Sequence, residues 1–248
     1  MSILKPLGTN GNDLWWNGGN ALRSRILDAI SLILPSGETF VIASVSEGLL
    51  ATNKCRSTPD ELQQEVQRFV REEHSHTRAH RLYNDRLAAH TPSRQLEQHI
   101  ERMVLEMADW RLPTRLAMAS ALEQLTAVLA KETLRTGSVW LSPGETPQTR
   151  LWRWHCQEEL DHRHVARDVM LAAGVGHTQR IVTLLMAIVF LIKDITAMLW
   201  GLLRADLAAG RVSAWQLLAQ CAKFGVCALP SMVRMAWNCG RYAVSAKC

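Results

Sequence analysis

Apolar residues recur at intervals of three and four over long stretches of the chain, and strand signals are nearly absent. This spacing puts apolar side chains on one face of a helix, so the pattern predicts an all-α protein. Pro35 is expected to stop the first helix, and Thr58, Pro59 and Glu61 form a capping-box start. The predicted helices cover 20–34, 36 to about 50, 59 to about 90, 93 to about 135 with a kink or break at Pro113, and 146–173.

The C-terminal part has a different pattern. Residues 181–192 are uncharged and apolar, Lys193 and Asp194 follow, and a second apolar stretch covers 195–203. The whole is long enough to cross a bilayer, but two charges lie in its middle. Three alternatives stay open: a transmembrane span, a helix at a membrane surface, or a helix that packs on the bundle or in a dimer.

Charge divides the chain into two regions. Residues 1–177 hold 20 bases and 21 acids, whereas residues 178–248 hold eight bases and two acids. We therefore expect a helical bundle in 1–177 and a basic, apolar helical region in 178–248. That region suits an anionic membrane surface better than nucleic acid, since it has no dense stripe of Lys and Arg.

The six cysteines have no zinc-site spacing, and the chain opens without a signal-peptide pattern. These features favour a cytoplasmic protein, either free or peripheral at the inner face of the membrane. A homodimer is a further possibility.

Two Glu-x-x-His motifs carry the candidate chemistry. Glu73 and His76 lie on one predicted helix, and Glu159 and His162 lie on another. A spacing of three residues puts the carboxylate and the imidazole on the same helix face. One such motif is easily found by chance, but two on two predicted bundle helices indicate a shared site.

Two further glutamates stand at matching distances upstream. Glu38 precedes Glu73 by 35 residues, and Glu123 precedes Glu159 by 36. Both lie in apolar stretches, where an ionised carboxylate is costly without a partner. A bundle that supplies one Glu from each of two helices and Glu-x-x-His from the other two binds a pair of metal ions. The pattern therefore predicts a dinuclear metal site.

Other histidines extend these helix faces. His155 lies four residues before Glu159 and is predicted as a ligand, whereas His80, four residues after His76, is either a ligand or a hydrogen-bond partner of one. Glu72, Glu158 and Asp161 are alternative acceptors for the imidazole N–H groups. The remaining histidines are expected at the surface: His74, His90, His99, His164 and His177.

Oxygen and nitrogen ligands without thiolate favour iron, with manganese as the alternative. Two iron ions held by carboxylates can activate dioxygen. The first hypothesis is thus an O₂-dependent di-iron oxygenase or oxidase acting on a small hydrophobic substrate, with an external electron donor. The alternative is hydrolysis by a metal-activated water, and an iron-storage role is a third.

These residues resemble the ferritin-like di-iron carboxylate superfamily, and within it the bacterial predicted metal-dependent hydrolases. The resemblance covers about residues 15–175. It rests on a tryptophan-rich start and on these segments: 35–38 (Pro-Ser-Gly-Glu), 80–84 (His-Arg-Leu-Tyr-Asn), 121–123 (Ala-Leu-Glu) and 154–162. It implies a ferritin-like four-helix bundle with additional N-terminal and apolar C-terminal helices.

A more distant resemblance is to arylamine N-oxygenases, whose last bundle helix carries a similar His-x-x-x-Glu-x-x-His stripe. It implies that His155 is a third histidine ligand. This chain has Glu72 where that family has aspartate.

Overall fold

The computed structural model describes residues 14–55 and 59–244, and within these ranges it contains seven helices and no strand. The all-α prediction is confirmed. The helices are α1 (Ala21–Cys55), α2 (Asp60–Leu87), α3 (Ser93–Ala108), α4 (Leu112–Thr133), α5 (Pro147–Ala172), α6 (His177–Ala208) and α7 (Ala214–Val244). Thr58 of the predicted capping box lies outside the described residues.

The predicted helix end at Pro35 is wrong, because α1 continues through this proline. A proline has no N–H to donate, so the carbonyl of Ser31, four residues earlier, loses its usual helix partner. The side-chain amide of Asn84, on α2, donates to that carbonyl at 2.9 Å instead. A tertiary hydrogen bond thus replaces the missing one, and the helix keeps its course.

The break expected near Pro113 is present. It falls at residues 109–111, between α3 and α4, and Pro113 lies in the first turn of α4. A proline is well tolerated there, since the first N–H groups of a helix have no partner within it.

Four helices form the bundle that holds the candidate site. Helix α1 packs against α2 and α4, and α5 packs against the same two helices. Of the three apolar clusters among the described residues, two flank the candidate site. One cluster includes Phe40 and Val165, and the other includes Leu34 and Cys156. On α1 and α5 the candidate ligands lie between these clusters, so the polar site is enclosed by apolar packing along the bundle.

Helices α6 and α7 lie against this bundle. Helix α6 packs on α1 and α4, and α7 packs mainly on α4. By length and composition alone, α1 and α6 are both able to cross a membrane. The most apolar segment of α1 is 72% buried inside the protein, which marks it as a core helix, whereas that of α6 is only 28% buried.

A buried ion network joins α6 to the bundle. The Arg25 guanidinium donates to both carboxylate oxygens of Asp206, at 2.7 and 3.0 Å, and to Asp28 at 2.7 Å. Asp28 also accepts from Trp16 at 3.0 Å and from Tyr83. Because every polar group has a partner, this network fixes the position of α6 at little cost.

We predict that Asp206→Ala lowers the free energy of unfolding by about 3 kcal/mol, since it leaves the buried Arg25 charge with only part of its compensation. Urea unfolding followed by circular dichroism measures this. The control is Asp85→Ala, which removes a surface ion pair with Arg94 and should cost less than about 1 kcal/mol. Equal losses in the two variants would contradict this prediction.

Candidate metal centre

All eight predicted site residues are buried side by side within the four-helix bundle, each with at most 5% of its surface exposed. Glu38 comes from α1 and Glu123 from α4. Helix α2 supplies Glu73, His76 and His80, and α5 supplies His155, Glu159 and His162. The five histidines predicted at the surface are all exposed.

The two Glu-x-x-His motifs meet in one close group. Glu73, His76, Glu159 and His162 each offer a ligand atom, and these atoms lie within 4.8 Å of one another. Nδ1 of His76 lies 3.6 Å from Glu73 Oε1 and 3.7 Å from Glu159 Oε1. Nδ1 of His162 lies 2.5 Å from Glu73 Oε1. Both rings therefore point the same nitrogen at the paired carboxylates.

A second group overlaps the first. It consists of Glu38, His76 and His155, and it shares His76 with the first group. The hydroxyl of Thr77 donates to Oε2 of Glu38 at 2.7 Å, which leaves Oε1 directed elsewhere without a hydrogen-bond partner. Two adjoining groups of buried ligand atoms could hold a pair of metal ions.

Glu123 lies beside these groups and belongs to neither. Its carboxyl is buried, and Oε2 has no hydrogen-bond partner. Burial raises the pKa of Glu123 well above its usual range, and the charges of Glu159, Glu73 and Glu38 raise it further. The charges of the three other glutamates reach it, so it belongs to the same electrostatic environment.

Unpaired polar atoms converge on this part of the bundle. Among the described residues, the buried side-chain atoms without a hydrogen-bond partner include Glu38 Oε1, Glu73 Oε2, His76 Nδ1, Glu123 Oε2 and Glu159 Oε2. Buried polar groups in proteins are normally paired, and unpaired ones indicate an ion or a function. These atoms are the oxygen and nitrogen donors that a divalent metal accepts, so the donor set fits a metal pair.

The shifted pKa values at the site also favour a bound positive charge. Burial raises the pKa of Glu38 well above its usual range, and the charge of Glu73 adds to this. Burial lowers the pKa of His162, but the carboxylates of Glu73 and Glu159 outweigh it and raise the pKa to about 9. Several carboxylates share one apolar interior here, and a cation among them relieves their repulsion.

The two motifs are cross-connected by the residues that precede them. His76 of α2 donates from Nε2 to Glu158 of α5 at 2.9 Å, and His162 of α5 donates from Nε2 to Glu72 of α2 at 3.0 Å. With one proton held on Nε2, Nδ1 is the atom that faces the carboxylates and that can bind a metal once its own proton is lost. Glu72 and Glu158 are thus the acceptors among the three candidates, while Asp161 is exposed.

A hydrogen-bond chain from α1 orients His155. The side-chain N–H groups of Asn84 donate to the Ser31 carbonyl and to Glu97, at 2.9 and 2.8 Å. These two bonds fix which end of the amide is Oδ1, an atom that only accepts. The Ser31 hydroxyl therefore donates to this Oδ1 at 2.7 Å. The same hydroxyl oxygen must then accept from Nδ1 of His80, which lies 2.8 Å away.

The chain continues from His80 to the metal centre. With its proton on Nδ1, His80 accepts at Nε2 from Nδ1 of His155, 3.2 Å away. Burial and neighbouring histidines lower the pKa of both rings, so both are neutral. Nε2 of His155 is left as a lone-pair atom, 3.2 Å from Oε1 of Glu159. This geometry favours His155 as a ligand and His80 as the residue that orients it.

The sequence of this chain matches one protein family. A family model described as predicted metal-dependent hydrolase matches residues 7–242. The chain belongs to this family. Comparison with curated proteins and with solved structures finds no match. Membership of the metal-dependent hydrolase family confirms the first resemblance, while the ferritin-like superfamily and the relation to arylamine N-oxygenases stay predictions.

Three residues that bond to site residues were not predicted from the sequence: Thr77, Ser31 and Asn84. Asn84 had a signal, because it closes the His-Arg-Leu-Tyr-Asn segment on which the family resemblance rests. The structure explains that segment, since His80, Tyr83 and Asn84 are buried and each bonds to a residue of α1 or α5. Thr77 and Ser31 had none, because a hydroxyl within a helix is common and its partner is known only from the fold.

We predict that Glu123→Gln stabilises the protein in the presence of a chelator by about 1–3 kcal/mol, because it removes a buried carboxylate whose pKa is raised by burial and repulsion. The same substitution should reduce the thermal stabilisation that added Mn(II) or Fe(II) produces. Thermal unfolding with and without metal measures both effects.

The matched control for this substitution is Glu106→Gln at an exposed position of α3. It should change neither stability nor the metal effect. A Glu123→Gln protein that is less stable than wild type in chelator would contradict the prediction.

We predict that His80→Phe weakens metal binding about 10- to 100-fold, since it removes the acceptor that fixes the proton of His155 on Nδ1. Ser31→Ala, one bond further away, should have a smaller effect in the same direction. Competitive titration of the metal against a fluorescent chelator gives the affinities. His74→Phe, an exposed position on the same helix, serves as the control. Unchanged affinity in His80→Phe would contradict the orienting role.

Proposed function

We propose that this protein is a metal-dependent hydrolase with a dinuclear centre. The observation that carries the proposal is the convergence of unpaired, buried carboxylate and imidazole atoms in the middle of the bundle. The description of its family supports hydrolysis over the oxygen-dependent reaction that the sequence analysis placed first.

The proposed ligands are Glu38, Glu73, His76, Glu123, His155, Glu159 and His162. When bound, two divalent ions would supply Lewis acidity and a water molecule activated at neutral pH. Thr77 holds one oxygen of Glu38, and Glu72 and Glu158 hold the two imidazoles. The Trp154 ring N–H donates to Glu158 at 2.9 Å and fixes that carboxylate in turn.

The surroundings of the site suit an apolar substrate. Apolar clusters enclose it along the bundle, and the ring of Phe69 lies edge-on against His162 with centroids 5.0 Å apart. Burial and the charge of Glu159 raise the pKa of the Cys156 thiol, which keeps it protonated and unsuited as a ligand. We propose a small ester or amide of largely apolar character as the substrate class.

A second candidate is the oxidation of such a substrate by O₂ at two iron ions. It is favoured by one specific observation, that the buried donors near the site are carboxylates and imidazoles without a thiolate. This reaction needs an external electron donor. Manganese fits the same donors.

We predict that the metal-depleted protein, reloaded with Mn(II) or Zn(II) under strict exclusion of oxygen, hydrolyses members of a panel of p-nitrophenyl esters and anilides. Glu73→Ala should lose metal and activity together, because Glu73 faces both motif histidines. Glu106→Ala is the matched control. Colorimetric assays and metal analysis of the same samples measure both quantities.

A different set of results would support the second candidate. Absence of hydrolysis with every metal, together with O₂ uptake by the Fe(II)-loaded protein, would refute the hydrolase proposal and support the di-iron oxidation. Mössbauer spectroscopy of the iron-loaded protein would then identify the coupled iron pair.

A further inference from the structure

Helix α7 has two faces of opposite environment. Its inner face packs on the bundle through Leu217, Ala228, Ser231 and Tyr242, all buried. Its outer face carries large apolar side chains that are 59–80% exposed: Trp215, Leu218, Val226, Leu229, Val233 and Trp237. Their spacing keeps them on one side of the helix, and from Trp215 to Trp237 they extend over about 33 Å at 1.5 Å per residue. We call these six side chains the outer stripe.

Helix α6 also has an exposed apolar face. Val182, Leu185, Val189 and Ile192 follow helical spacing and are 49–63% exposed. Exposed apolar helix faces of this length are unusual for a monomer in water and mark an interaction site. Helices α6 and α7 are therefore each covered by protein on one side only.

The exposed charges between residues 178 and 244 all have one sign. The only acids between residues 178 and 244 are Asp194 and Asp206, and both are buried, at 1% and 0% exposure. The exposed charged residues in that range are bases: Lys193, Arg204, Arg211, Lys223 and Arg241. Lys223 and Arg241 are 18 residues apart, which is five helical turns, so they lie in one line along the flank of the stripe.

We propose that the outer stripe of α7 docks on the surface of an anionic lipid membrane. An apolar helix face with flanking bases and without exposed acids has the composition of helices that lie in the membrane interface. Trp215 and Trp237 lie near its two ends, and tryptophan is a side chain that prefers that interface. A second copy of the chain would bring a face with the same positive charge against it, which is unfavourable.

Flotation of the full chain with vesicles of phosphatidylcholine, with and without 30% phosphatidylglycerol, tests this inference. We expect binding to the anionic vesicles at about 0.1 M salt and a loss of at least tenfold at about 0.5 M, where charge is screened. Val226→Ser with Val233→Ser should bind at least tenfold more weakly, and so should Lys223→Glu with Arg241→Glu.

Matched controls come from exposed positions elsewhere. Leu50→Ser with Leu105→Ser removes exposed apolar side chains, and Arg68→Glu with Arg102→Glu reverses two exposed bases. Both should bind within twofold of wild type. All variants are checked for unchanged metal-induced stabilisation, which shows that the bundle is intact.

Three outcomes would overturn the proposal. They are equal binding to neutral and anionic vesicles, wild-type binding by the stripe variants, and a dimer in light scattering that the Val226 and Val233 substitutions dissolve. The last would assign the stripe to a second copy of the chain.

Discussion

The burial of several glutamate carboxylates at one level of the bundle is the constraint on which the structure depends. A buried carboxylate is tolerated only with hydrogen bonds or opposite charge, and a group of them requires both. The neighbouring imidazoles, the Thr77 hydroxyl and a pair of cations are the available partners. The apolar clusters along the bundle hold the four helices in register, which keeps the ligand atoms within a few ångströms of each other.

Much of the site could be predicted because its main signal is local. Glu-x-x-His fixes a carboxylate and an imidazole on one helix face whatever surrounds them, and equal spacing in two halves made the pairing specific. The course of α1 could not be predicted. Pro35 normally ends a helix, and only the fold shows that Asn84, almost 50 residues away, satisfies the freed carbonyl. The same Asn84 side chain also accepts from the Ser31 hydroxyl, the first bond of the chain that orients His155. The wrong helix end and the missed orienting residues therefore have one cause.

For the C-terminal region, residues 178–248, the sequence and the structure give different information. The sequence predicts a basic, apolar region and leaves its placement open. The structure shows that α6 turns its two acids inward, where Asp206 pairs with Arg25, and leaves Lys193 and Arg204 outside. Net charge therefore understates how positive this surface is. Asp206, one of these two acids, also joins the C-terminal region to the bundle through Arg25. Its burial therefore both attaches α6 and leaves the surface of this region more positive.

The crossed hydrogen bonds between the two motifs make each half of the site depend on the other. Each motif supplies an acceptor to the other motif's histidine, and none to its own. A lone two-helix hairpin with this motif would thus lack partners for its imidazole and would obtain them only by meeting a second hairpin. Corresponding glutamates of the two halves stand 85 and 86 residues apart in the chain. In these terms the two helix pairs are interdependent, and α3 lies in the segment that joins them.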